Sequence, residues 1–98
     1  MMLTIEDALL KVRENPIKYI GKKSLQRLDL FMLGYSLCQT EREGTSQNFV
    51  GEFQTFIEKK YNIIESIRFS RIIQNYSISD ECAFDIFYEL LDEFYEKQ

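Results

Sequence analysis

DECAFDIFYELLDEFY (Asp80–Tyr95) has the clearest helical pattern in this 98-residue sequence. Its apolar residues recur at spacings of three and four, which is typical of a helix that buries one wide face. Asp80 and Glu81 fall in the first turn, where negative charge is favourable beside the positive end of the helix dipole. The apolar stripe comprises Ala83, Phe84, Ile86, Phe87, Leu90, Leu91 and Phe94. The sequence therefore predicts a C-terminal helix over residues 80–95.

The same spacing recurs upstream and predicts the rest of the architecture. Residues 65–76 are also rich in isoleucine, which admits a strand, but a lone strand would have no pairing partner. A helix is therefore expected there too. The predicted upstream helices are 5–14, Ser24 to about 41–44, Ser46 to Tyr61, and 65–76. We expect one all-α domain over residues 1–98, with about five helices packed as an irregular bundle around an aromatic-rich core.

Short polar, proline and glycine signals mark the predicted helix boundaries. Thr4 and Asp7 resemble a capping box for the first helix, and Pro16 ends that helix. Gly21 is expected to provide a turn or an unusual backbone angle, and Ser24 to cap the long second helix. Together these signals predict a short connection over residues 16–23, with Tyr19 and Ile20 extended.

Two glycines, Gly34 and Gly51, interrupt otherwise helical patterns. A glycine inside a helix costs about 1 kcal/mol relative to alanine. The simplest compensation is close packing, in which a neighbouring element presses against a helix side that has no Cβ. The two glycines therefore indicate that the second and third predicted helices approach each other closely, with the alternative that each glycine faces elsewhere.

The segment YIGKKSL (Tyr19–Leu25) contains the residue types of a phosphate-binding loop. A P-loop needs a second glycine five positions before its Gly-Lys pair, at the end of a strand. Here Pro16 occupies that position, and no strand precedes it. The segment is therefore predicted to join two helices, with Lys18, Lys22 and Lys23 solvated.

Composition excludes most enzymatic chemistry. The chain has no histidine, which removes Ser-His and Cys-His catalysis and nearly all transition-metal sites. The aromatic stripes are expected to form core rather than a cofactor site. We therefore predict a protein that is not an enzyme and has no catalytic residue, cofactor or metal. Cys38 and Cys82 are predicted to be small buried apolar residues without a disulfide.

Charge and hydropathy indicate the partner class. The net charge is −4, and an acidic domain is a poor candidate for direct nucleic-acid binding because phosphate contacts supply most of that affinity. The sequence shows neither a signal peptide nor an apolar run of about 20 residues, so we expect a cytoplasmic protein without membrane contact. A basic protein is the more suitable partner.

The acidic residues are concentrated on the last predicted helix. Residues 79–98 carry seven acids and one base, while the whole chain has a net charge of only −4. Mixed signs are usual on a merely solvated helix face, because like charges three or four residues apart repel. The simpler interpretation is a solvated face, but the face also suits a basic partner, with an exposed tyrosine as an aromatic anchor. The predicted partner-binding residues are Asp85, Tyr88, Glu89, Asp92 and Glu96.

Most of the sequence resembles small bacterial immunity proteins that are encoded beside contact-dependent or other polymorphic toxins. The matching segments are ALLKVRENPIKYIGKKSLQRLDLFMLGY, FVGEFQTFIEKKYNI and SDECAFDIFYELLDEF. The resemblance implies a cytoplasmic antitoxin of contact-dependent growth inhibition that binds the C-terminal domain of a cognate toxin. It also implies a nuclease target, such as a tRNase or RNase, and a one-to-one complex with a monomer rather than a homo-oligomer. The alternative is a small adaptor or regulatory domain, which could be homodimeric.

Overall fold

The computed structural model describes residues 4–43 and 49–96, and these residues form an all-α fold. The all-α prediction is confirmed, and within the described ranges there are six helices rather than five. Predictions that concern Gly44, Ser46 and Lys97 lie outside the described residues. The helices are α1 (Ile5–Glu14), α2 (Pro16–Ile20), α3 (Leu25–Glu43), α4 (Phe49–Lys60), α5 (Phe69–Asn75) and α6 (Asp80–Glu96).

The additional helix is α2, which replaces the predicted short connection. Pro16 ends α1, but it also occupies the first turn of α2. A backbone N–H in the first turn has no intrahelical acceptor, so the proline costs no hydrogen bond there. Asn15 caps the new helix, because its side-chain oxygen accepts a hydrogen bond from the Lys18 N–H at 3.3 Å. Five residues are too few to show a helical period, so the hydrophobic pattern could not reveal α2.

The predicted N-caps at Thr4 and Ser24 are confirmed. The Thr4 hydroxyl accepts a hydrogen bond from the Asp7 N–H, and the Asp7 carboxylate accepts one from the Thr4 N–H. Gly21 has φ +87° at the end of α2, a left-handed conformation that glycine adopts without a Cβ clash. The Ser24 hydroxyl accepts from the Arg27 N–H at 3.1 Å and starts α3.

The fourth predicted helix is shorter than expected. It begins at Phe69 rather than at residue 65, and the preceding residues form an irregular connection in which Asn62 has φ +56°. Gln54 of α4 holds this connection with its side-chain amide. The amide nitrogen donates to the Ile67 carbonyl at 2.7 Å, and the amide oxygen accepts from the Phe69 N–H at 2.7 Å.

Aromatic rings dominate the core, as predicted. The fully buried Phe53 contacts Phe69, Phe87 and Phe94 edge to face, with ring centroids 5.4–5.5 Å apart. Edge-to-face pairs place the positive ring edge on the negative ring face and add to the stabilisation from burial. These contacts join α4, α5 and α6 around a single ring, so Phe53 holds the bundle together at its centre.

A buried carboxylate, which the sequence analysis missed, links α3 to α5. Asp29 accepts hydrogen bonds from the Arg68 guanidinium at 2.6–2.9 Å and from the Ser70 hydroxyl at 2.7 Å. A carboxylate that is shielded from water is tolerated when a cation and further donors satisfy its oxygens. The separation of 39 residues between Asp29 and Arg68 explains why no local pattern indicated this pair.

The predicted close neighbour of Gly34 is absent among the described residues. A Cβ at this position would meet nothing within 4 Å. Gly51 is also exposed. Gly34 therefore does not mark a tight contact inside the described part of the chain.

Because Gly34 faces open space, Gly34→Ala should raise the free energy of unfolding by about 0.5–1 kcal/mol through its better helix propensity. The matched variant Gly21→Ala should lower it by about 1–2 kcal/mol, because an alanine there must adopt a left-handed conformation. Urea denaturation at low protein concentration measures both changes. Destabilisation by Gly34→Ala would show that this helix side has an intramolecular neighbour.

Candidate partner-binding surface

The predicted binding residues all lie on α6, but the structure separates them into two groups. Asp85, Glu89, Asp92 and Glu96 are exposed on its outer face. Tyr88 is buried, with only 3% of its surface exposed. The carboxylates therefore form a surface, while the tyrosine belongs to the core.

The prediction that Tyr88 is an exposed aromatic anchor is wrong. Its hydroxyl donates a hydrogen bond to the Leu9 carbonyl of α1 at 2.7 Å, and the Arg13 guanidinium lies 5.2 Å from its ring centroid. Burial raises the pKa of the Tyr88 hydroxyl well above its usual value. Tyr88 lies at the edge of the apolar stripe of α6, and α1 covers that edge.

Tyr88→Phe should lower the free energy of unfolding by about 0.5–1.5 kcal/mol, because it removes one buried hydrogen bond and keeps the ring. Tyr76→Phe is the matched control, since Tyr76 is mostly exposed and its stability change should stay within about 0.5 kcal/mol. Thermal and urea unfolding measure both. Equal stability of Tyr88→Phe and wild type would contradict the hydrogen-bonding role.

Two of the four exposed carboxylates have cationic partners within the chain. Asp92 accepts two hydrogen bonds from the Arg13 guanidinium at 2.9 Å, and Asp85 lies 2.7 Å from the Lys23 ammonium. The hydrogen bond from Arg13 lowers the pKa of Asp92, and the hydrogen bond to Asp85 raises the pKa of Lys23. The prediction that Lys23 is simply solvated is therefore wrong. Both pairs are exposed to solvent, so they contribute little to stability.

Glu89 and Glu96 make no ion pair or side-chain hydrogen bond with another residue of the described ranges. They lie on the same exposed side of α6 as the paired Asp85 and Asp92. The exposed face of α6 therefore keeps a net negative charge even when the positive charges of Arg13 and Lys23 are counted. Glu89 and Glu96 are the carboxylates that a cationic partner can engage without first breaking an internal pair.

Tyr95 is an exposed aromatic residue that the sequence analysis missed. It is 39% exposed, and its ring stacks on Phe49 with centroids 6.3 Å apart. Partial burial, together with Glu6 and Asp7 of the first turn of α1, raises the pKa of its hydroxyl to about 12. Only the packing of α1 along α6 brings Glu6 and Asp7 beside Tyr95, so no local sequence pattern could have shown this arrangement.

We define the acidic surface as Glu6, Asp7, Glu89, Asp92, Tyr95 and Glu96. It joins the first turn of α1 to the second half of α6, and Glu6 and Asp7 lie beside the partly exposed Tyr95. A tyrosine ring face attracts guanidinium and ammonium groups, and neighbouring carboxylates pair with them. The arrangement suits arginine and lysine side chains on another protein.

A groove of about 520 Å³ borders this surface between α6 and the α1–α2 region. Lys23 lies 5.9 Å from the Phe84 ring centroid on one wall, and Asp85 and Glu89 form part of the other. Side chains of both charge signs line the groove. No set of these lining residues converges on one point as catalytic groups do. Within the described ranges, no three His, Cys, Asp or Glu side chains are placed to hold a metal ion.

Two further sequence-based expectations concern Cys82 and membrane contact. Cys82 is a half-buried free thiol, so it is less buried than predicted. The side chain of Cys38 lies outside the described part of the structure.

None of the described helices combines the length and apolar character that a membrane span requires.

No protein-family model, curated protein or solved structure matches this chain significantly. The chain's own surface and its sequence resemblance to immunity proteins are therefore what indicates its function.

Proposed function

We propose that this protein is an immunity protein that binds and neutralises the C-terminal domain of a cognate antibacterial toxin. The observation that carries the proposal is the acidic surface, with Glu89 and Glu96 exposed and unpaired among the described residues. The fold supports it, because six helices around an aromatic core hold these carboxylates on fixed elements. A preorganised surface loses little entropy when a partner binds.

The target that we propose is a nuclease domain, such as a tRNase or RNase. A nuclease binds phosphates with arginine and lysine side chains, so its substrate surface is basic. Carboxylates on a rigid helix can occupy those cations and exclude the nucleic acid. Opposite charges on the two proteins also raise the association rate, and added salt reduces this effect.

Each chain would bind one toxin domain, and protection would take place in the cytoplasm, where tRNA and other cellular RNAs are cut. Inhibition in this account needs no catalysis, because covering the toxin's substrate surface is sufficient. The complex should therefore form without a cofactor and remain stable without turnover.

The test is coexpression with the C-terminal domain of the protein encoded immediately upstream. We expect the two proteins to purify as a one-to-one complex and the cells to survive a dose of toxin that otherwise kills them. A catalytically inactive toxin domain serves as the control for binding without toxicity. Failure of the wild-type chain both to bind and to protect would contradict the proposal and favour the adaptor alternative.

A further inference from the structure

Helix α3 has an exposed apolar face, which we define as Leu30, Leu33, Gly34 and Leu37. The three leucines are 64%, 45% and 63% exposed. Their spacing of three and four places them on one side of the helix, and Gly34 adjoins Leu33. No described residue comes within 4 Å of the position of a Cβ at Gly34. The described part of the subunit therefore leaves this leucine face uncovered.

A monomer gains nothing from this face. Exposed leucines cost free energy in water. The helix-interior glycine adds a second cost through its poor helix propensity, and no tight contact offsets it. Both features become favourable when another helix lies along the face. The leucines are then buried, and Gly34 allows the two backbones to approach closely.

Charge restricts the choice of partner. The segment from Leu30 to Leu37 contains no acid or base, and the nearest acid, Asp29, is buried against Arg68. The chain has a net charge of −4, so two copies repel each other through most of their surfaces. An uncharged face is the part of the surface where this repulsion is weakest. The basic partner proposed for the acidic surface would find no complementary charge here.

The face is also complementary to itself. When two α3 helices lie antiparallel across a two-fold axis beside Leu33 and Gly34, Leu30 lies opposite Leu37 of the second copy. Leu33 then lies opposite Gly34 of the second copy, and Gly34 lies opposite its Leu33, as an isologous interface requires. We infer that a second copy of this chain covers the leucine face through this antiparallel α3 pairing.

The dimer is weak, because the contact is small. The face extends about 10 Å along the helix axis at 1.5 Å per residue. A contact of this extent belongs to the class below about 1,200 Å² of total buried area, which dissociates readily on dilution. The inference differs from the sequence-based expectation of a monomer, but it does not depend on the proposed toxin. The buried apolar residues of α3 include Leu25, Leu28 and Met32, and none of the leucine-face residues belongs to the acidic surface.

Sedimentation equilibrium over about 10 μM to 1 mM tests the inference. This range detects dimers with a dissociation constant as weak as about 1 mM. The wild-type mass should rise from monomer towards dimer. Leu33→Glu should remain monomeric at every concentration, because it places one carboxylate from each copy inside the small apolar contact, opposite Gly34 of the other copy. Ile64→Glu is the matched control, since Ile64 is 98% exposed on the α4–α5 connection, and it should dimerise like wild type.

Gly34→Leu separates an interface role from a structural role. The new side chain enters open space in the monomer, so the melting temperature at low concentration should not fall. It blocks the approach of the second helix, so dimerisation should weaken at least tenfold. A wild-type chain that stays monomeric at about 1 mM would overturn the inference. Dimerisation of Leu33→Glu equal to wild type, or loss of the dimer in Ile64→Glu, would overturn it as well.

Discussion

Phe53→Ala should lower the free energy of unfolding by about 3–5 kcal/mol, the largest stability loss expected from a single substitution in this chain. The side chain is fully buried and contacts Phe69, Phe87 and Phe94 at the centre of the bundle. Its removal loses the transfer free energy of the ring and leaves a cavity between three helices. The large rigid rings around that cavity can close it only in part, so the loss of unfolding free energy should lie near the upper end of that range.

The consequence for folding depends on the total stability. A domain of this length typically has a free energy of unfolding of about 5–15 kcal/mol, so the variant should be marginally folded at 37 °C. Urea denaturation followed by circular dichroism measures the change, and Ile64→Ala is the control. Ile64 is almost completely exposed, so its truncation should change stability by less than about 0.5 kcal/mol. A loss below about 1 kcal/mol for Phe53→Ala would contradict the central position of Phe53.

Local patterns predicted much of the fold. The apolar stripe of α6, the capping box at Thr4 and the cap at Ser24 were visible because each depends on residues within one or two turns. Helix α2 was not visible, since five residues span little more than one turn. The irregular segment before α5 was missed for another reason. Its isoleucines suit a helix, but the side chain of Gln54 binds its backbone in a different conformation.

The candidate site was only partly predictable. Residues 85, 89, 92 and 96 are exposed as the period of α6 indicates. The partners of two of them are 62 and 79 residues distant in sequence, so the ion pairs depend on tertiary packing. The same packing decides which tyrosine is exposed. Helix α1 covers Tyr88, while Tyr95 remains accessible beside the first turn of α1.

Reversing the charge of Glu89 and Glu96 should weaken binding to the cognate toxin domain at least about 100-fold, which corresponds to roughly 2.7 kcal/mol. Two attractive contacts become two repulsive ones, and like charges across an interface can cost several kcal/mol. Both side chains are exposed and unpaired among the described residues, so the fold should tolerate the change. Asp92 is unsuitable for this test, because a cation there would face Arg13.

A control must change the net charge by the same amount at another place. Glu65→Lys, Ser66→Lys and Asn75→Lys together meet this requirement, because all three residues are exposed on or beside the α4–α5 connection and α5. This triple variant should bind the toxin domain within about threefold of wild type, since the remaining effect is long-range and screened by salt. Circular dichroism and melting temperature should confirm that both variants are folded.

The most direct measurement is the calorimetric affinity of three purified proteins for the same inactive toxin domain at physiological salt. We expect tight one-to-one binding per chain for wild type and for the triple control, and a loss of at least about 100-fold for Glu89→Lys/Glu96→Lys. Wild-type affinity in the folded double variant would contradict the assignment of the acidic surface as the toxin-binding site.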